Sequence, residues 1–196
     1  ARRPKGLQQL ADVFKEWSLA TRQPLPADLL LVGRGKEAAE TQGWLSAPPS
    51  VRPVQAEAAG EAMAFLYAAI APYPEPYRQF WLTRCVVAET DGVARDLVGI
   101  GAKLVVVMNG GDAGLAQRLV EDGHHVFVAY GSEVGSPREV IRLPRLERHE
   151  LERALIDTDV PEDKAHALAA QAAGSLTVLR RLMPRAGGGT PDWALK

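Results

Sequence analysis

The chain has one cysteine, Cys85, in 196 residues. An internal disulfide is therefore excluded, and with it the stapled-scaffold class of small secreted domain. Cys85 opens the apolar run "CVVA", where a buried, unreactive thiol is expected rather than a nucleophile. That usage fits a reducing cytoplasm. No apolar run approaches the roughly 20 residues that a membrane span requires. Neither sign of charge dominates: 23 Lys and Arg stand against 24 Asp and Glu, a formal net charge of −1. No global field draws the chain to nucleic acid or to an anionic bilayer. C-x-x-C, H-x-x-x-H and paired-acid spacings are missing, so the expectation is no metal site. No G-x-S-x-G frames a serine nucleophile, and Ser132 in "YGSEVGS" reads as turn chemistry. The first ten residues, "ARRPKGLQQL", lack both a starting Met and a signal peptide's apolar core. The expectation is a fragment of a larger cytoplasmic multidomain protein.

What is present is alternation. Leu7, Leu10, Val13, Phe14 and Trp17 are spaced as on one face of a helix. A second helix is expected over residues 36–45. "VRPVQ" (51–55) is a short strand candidate, and Pro53 within it either weakens that reading or places the strand at an edge. Residues 61–70 form an Ala-rich helix. "RCVVAE" (84–89) reads as a buried strand, "DGVARDLVG" as a short helix or turn, and "AKLVVVMNG" (102–110) as the clearest strand. A helix follows, with Asp112 as N-cap and Gly123 as C-cap. "HHVFVAY" and "REVIRL" are further strands. Strand–helix–strand order at this spacing calls for crossovers and a mainly parallel, buried sheet. From Arg148 onward three helical segments follow without strands, Pro161 suiting the first turn of the second. "PRAGGGTPDWALK" is Gly- and Pro-rich and reads as a linker or tail. The expected division is 1–28, a leading helix and connection; 29–146, a three-layer α/β domain; 147–183, a helical lid; and 184–196, the tail.

One stretch raises a specific question. "VQAEAAGEAMAFL" lays out an apolar run, a turn and a helix, as does the phosphate loop GxxxxGK[ST]. Aligned on Gly60, the first Gly becomes Gln55, the Lys becomes Glu61 and the Ser/Thr becomes Ala62. Lys reaches the β- and γ-phosphates in a working loop, and the hydroxyl holds Mg²⁺. An anion at the Lys position would cost roughly 4 kcal/mol per like-charge contact at about 4 Å.

The layout around this stretch resembles P-loop NTPase modules of the STAND and AAA+ type, over residues 29–183. "LLLVGRGKEAAETQGWL" resembles the GRxxE lead-in of that family. "RCVVAET" falls where a Walker B strand would fall, with Glu89 and Asp91. Asn109 falls where a polar sensor would. "AAQAAGSLTVLRRLM" resembles the lid helix that carries a sensor arginine, here Arg180 or Arg181. The resemblance implies a P-loop NTPase-like sheet with a C-terminal lid and a degenerate Walker A. The implied function is a non-catalytic regulatory or scaffolding module, with no catalytic residues and no cofactor. Other domains of the same polypeptide or protein partners, including further copies of the chain, would be its partners. Two rival readings stand beside it. A nucleotide switch without a standard Mg²⁺ site would bind ATP or ADP through the backbone at 56–60, Gly60, Asn109 and Arg180 or Arg181, with Glu89 near any metal. A Rossmann-like transferase would use a strand-end acid, Glu133.

The remaining polar clusters have ordinary readings. Gly110, Gly111 and Gly114 follow a strand at a helix start and could bind an anion through backbone N–H groups, but Asp112 would repel it. His124 and His125 are adjacent on a strand and point to opposite faces. Arg142, Arg145, Arg148, Arg153, Arg180, Arg181 and Arg185 are interleaved with acids, which marks a solvated face and speaks against nucleic acid. Tyr73, Tyr77 and Trp81 form either a partner surface or a loop pinned to the core.

Overall fold

The computed structural model describes residues 6–19, 27–132 and 139–183. Among these, six strands form one sheet: β1 (Leu7–Gln9), β2 (Val51–Gln55), β3 (Cys85–Ala88), β4 (Val105–Asn109), β5 (His125–Tyr130) and β6 (Ile141–Arg142). Their order is β1-β3-β4-β5-β2-β6. Every neighbouring pair is parallel except β1 with β3. The valine-rich runs explain the burial. Along β3, β4 and β5 alternate side chains enter two separate apolar cores: Cys85, Val87, Val105, Val107 and Phe127 on one face, Val86, Val106, Met108, Val126 and Val128 on the other. A parallel sheet covered by helices on both faces requires that continuous apolar character.

The first face is covered by α2 (Gly35–Leu45) and α3 (Ala59–Ile70). The second is covered by α5 (Asp91–Arg95) and α6 (Ala113–Glu121). Asp112 caps α6, accepting from the N–H of Gly114 at 2.6 Å and of Leu115 at 3.1 Å. Gly123, at φ +89°, follows the C-cap Asp122 and closes the helix through its N–H to Val120 O. Helix α3 has a further neighbour. Its Ala64 and Ala68 join the apolar cluster of α1 (Leu10–Leu19), the short 3-10 helix Ala27–Leu31, and the three C-terminal helices α7 (Arg148–Ile156), α8 (Glu162–Ala172) and α9 (Leu176–Leu182). Nine of the twelve α3 residues are buried. Alanine makes this possible, because a helix enclosed on both sides needs small side chains where neighbouring backbones approach.

The structure changes several local expectations. Residues 7–9 are a strand, not the first turn of a helix: they pair with Val86–Ala88, and Glu89 N donates to Gly6 O. An open sheet edge outweighs helical periodicity over three residues. Helix α4 (Tyr77–Arg84) starts directly after Pro76 and carries Tyr77 and Trp81, for which the sequence offers a partner surface or a pinned loop. Pro53 is not on an edge strand. The bonds Val126 N→Ser50 O, Ala56 N→Tyr130 O and Leu143 N→Gln55 O show that odd-numbered β2 residues face β6. β6 begins only opposite Val54, so the missing N–H of Pro53 costs no ladder bond. Pro161 stands at the N-cap of α8, one residue before the helix.

Candidate functional site

The chain leaves β2 through residues 56–58 and enters α3, which crosses one face to reach β3 at the far side of the sheet. Helices α5 and α6 then step back along the other face to β5, beside β2. The carboxyl ends of β2 and β5 are therefore the switch point of this sheet, the place where open α/β folds hold ligands. Here the place is covered by the chain's own backbone. Gln55 Nε2 donates to Gly131 O at 3.2 Å. Ser132 donates to Glu57 O from its N–H and from its hydroxyl, each at 3.3 Å. A Cβ on Gly131 would stand 3.5 Å from Glu57 O and 3.7 Å from Ala59 N. The strand exit after β5 thus lies on the turn that a phosphate would need.

The first turn of α3 carries Glu61, which is 3% exposed. Its Oε1 accepts from Arg34 Nη2 at 2.6 Å, and Arg34 is 2% exposed. Arg34 also donates from Nε (3.0 Å) and Nη2 (2.8 Å) to the carbonyl of Pro144. One guanidinium therefore joins three segments distant in sequence: the start of α2, the N-terminus of α3, and the passage from the sheet to the C-terminal helices. The backbone around it is shaped for this. Gly33 has φ +66°, and a Cβ there would come within 2.9 Å of Glu150 Oε2 on α7. The Glu150 carboxylate also accepts from Glu147 N, closing the start of α7. Arg34 Nη1 and Glu61 Oε2 are buried without a hydrogen-bond partner.

The residues selected from the sequence lie as follows. Gly60 is at the N-terminal turn of α3, and its Cβ position is 3.9 Å from Trp17 Cδ1. The Trp17 indole, on α1, thus lies over the turn. Arg180 stands with its guanidinium carbon 4.7 Å from the Trp17 ring centroid, a cation–π arrangement. Arg181 is exposed. Asn109 ends β4, in register with Ala129 and through it with Val54. That is two strand spacings from β2, or about 10 Å. Glu89 follows β3, a third spacing away at about 14 Å, and lies against Gly6. The structure brings Gly60 and Arg180 together through Trp17 and keeps Asn109 and Glu89 apart from them. After β4 the Gly110–Gly111 turn faces the carboxylate of Asp91, which accepts from Asp112 N at 3.3 Å. Glu133 and Arg185 lie outside the described residues.

Sequence reasoning weighed Glu61 only as a repeller of phosphate and did not select Arg34. A signal was there: an arginine between two glycines after "LLLV", and a carboxylate inside an Ala-rich helix.

Three titratable groups are shifted by burial, Tyr73 among them, its phenol raised by desolvation. The Cys85 thiol is pushed up to about 12 by desolvation. Desolvation lowers the His124 imidazole below its usual range, against the weaker upward pull of Asp122 and of the Leu97 backbone. His124 Nδ1 accepts from Leu104 N at 3.1 Å, while His125 Nε2 turns to Ala47 O at 2.9 Å. The two imidazoles serve different backbone groups. Among the described residues no group of three or more His, Cys, Asp or Glu is arranged to hold a metal ion. No helix among them is long and apolar enough to cross a membrane. No family model matches the chain, and no curated protein matches its sequence.

Proposed function

We propose that this chain is a non-catalytic regulatory or scaffolding module of NTPase-like design, in which the turn after β2 is used for internal connection. The observation that carries this reading is the Arg34–Glu61–Pro144 link. At the position where a phosphate-binding lysine would stand, the side chain is an acid neutralised by the chain's own arginine. Gly131 and Ser132 lie on the turn, and Trp17 lies between Gly60 and Arg180. Each of these contacts uses space or donors that a nucleotide would need.

The same contacts suggest what such a module does. Arg34 ties α2, α3 and the start of the C-terminal helices at one point. A partner that pulls on any of the three biases the other two. Signals would pass between neighbouring domains of a longer cytoplasmic polypeptide, or between protein partners, as a shift in the placement of the C-terminal helices on α3.

A thermal-shift titration with ATP and ADP, with and without Mg²⁺, tests this. A ligand specific to the folded state at about 100 times its dissociation constant stabilises by about 2.7 kcal/mol, which is a shift of roughly 5–10 °C at this size. The expected result is no nucleotide-specific shift at millimolar concentration. A clear shift would overturn the reading in favour of a nucleotide switch.

A further inference from the structure

The opposite end of the sheet carries a second feature, independent of the turn after β2. Where β4 and β5 begin, a cavity of about 200 Å³ opens between the strands and α4. Phe80, Trp81 and His125 supply rings, Pro49 a wall, and Arg84 and Lys103 cations. The walls are preformed. His125 is held by Ala47 O, and the Trp44 and Trp81 rings meet it edge-on at 5.1 and 6.3 Å between centroids. Arg84 lies 3.8 Å over the Phe80 ring and donates to Phe80 O. Lys103 is exposed, with its stem over Gly123. Neither cation meets a carboxylate among the described residues. Asp122, beside Gly123, is engaged by the Gly99 N–H at 2.7 Å.

Helix α4 adds exposed apolar surface beside the cavity. Five large apolar side chains are exposed among the described residues: Tyr77, Phe80, Val98, Ile100 and Ile156. The first two are on α4, and the next two are on the loop that leads to Lys103. Helix α4 has no buried residue.

We propose that this face docks a protein segment carrying an aromatic side chain between carboxylates. The ring enters the cavity, the carboxylates meet Arg84 and Lys103, and the segment's backbone runs along the exposed Tyr77 and Phe80 of α4. Size favours a side chain over a free metabolite. The volume is below the roughly 300–1,000 Å³ of a drug-sized pocket and close to that of a cavity of about 150 Å³ that holds benzene. Tyr77, exposed three residues before Phe80 on α4, extends the apolar surface beyond what a single-ring ligand would touch. Two unpaired cations select an acidic neighbour. This surface lies at the far end of the strands from the Arg34–Glu61 link, so its role stands or falls separately from the proposed module function.

The test is an amide-resolved NMR titration of the full chain with the blocked peptide acetyl-Glu-Asp-Phe-Asp-Leu-amide. Its controls are the Gln/Asn isostere, the Phe→Ala peptide, and free phenylacetate. Shifts should localise to α4, residues 103–105 and residues 123–125. Both control peptides should bind about tenfold more weakly or worse. The surface variant Arg84→Gln/Lys103→Gln, whose melting temperature should be unchanged, should bind the acidic peptide and its isostere alike. Equal binding of the two peptides to the wild type, the absence of localised shifts at millimolar peptide, or phenylacetate binding as tightly as the peptide would each overturn the proposal.

Discussion

A carboxylate at the start of a helix carries opposite meanings according to what faces it. Glu61 faces Arg34 at 2.6 Å with both side chains out of water. Removing one partner of such a pair strands the other charge and typically costs about 3–5 kcal/mol. Glu61→Lys, which would restore the lysine of a phosphate loop, is therefore expected to destabilise by at least that much and to confer no nucleotide binding. Urea denaturation and nucleotide titration of the variant check the two parts. The double variant Arg34→Met/Glu61→Leu should lose less than the sum of the single ones, because no charge is left unpaired. Two further residues give sharp readings. Cys85, fully buried and with its thiol pushed up to about 12, should resist a thiol reagent in the native state and react on unfolding. His124 has its pKa lowered in the folded chain, so below about pH 6.5 the unfolded state binds the proton more readily. Its contribution is complete above that value and is lost as the pH falls. Relative to His124→Asn, which keeps an acceptor for Leu104 N, wild-type stability should drop as the pH falls below about 6.5 and stay level above about pH 7. Denaturant titrations at each pH measure the difference.

At the scale of elements, caps and close approaches govern. Gly174 has φ +80°, and a Cβ there would collide with the carbonyl of Leu146, whose own N–H donates to Gly174 O. Gly174→Ala should cost roughly 1–3 kcal/mol through the left-handed backbone and the displaced strand exit. Asp112→Ala should cost about 1 kcal/mol by removing the α6 cap. Chemical denaturation reads both. These elements also show what was legible. The valine runs of β3 and β4, the α6 caps and the alanine-rich α3 are local patterns, and local physics reproduces them. β1 was not legible, because "LQQ" has no strand pattern of its own and forms only beside the open edge of β3. Pro53 was only partly legible for a related reason: its tolerance depends on where β6 begins, some 90 residues later.

At the scale of the whole molecule, the apolar cluster of the C-terminal helices is shared. Leu151, Leu155, Leu168 and Leu179 meet Trp17, Leu29, Leu30, Ala64 and Ala68. Helix α3 therefore has the sheet on one side and, on the other, α1 and the 3-10 helix, whose apolar cluster it shares with the C-terminal helices. Unfolding followed by far-ultraviolet circular dichroism and by tryptophan fluorescence should give coincident single transitions. Two separated transitions would show that the C-terminal helices melt apart from the sheet. The sequence alone determined the buried parallel strands, the crossover helices, the unreactive cysteine expectation and the misfit of Glu61 to a phosphate, because each depends on residue type and short spacing. Only the tertiary structure decided what Glu61 does instead. Its partner Arg34 is 27 residues away, and Arg34 in turn holds a carbonyl 110 residues further on. Those distances close only when the order of strands in the sheet brings the three segments together, and no local pattern encodes that meeting.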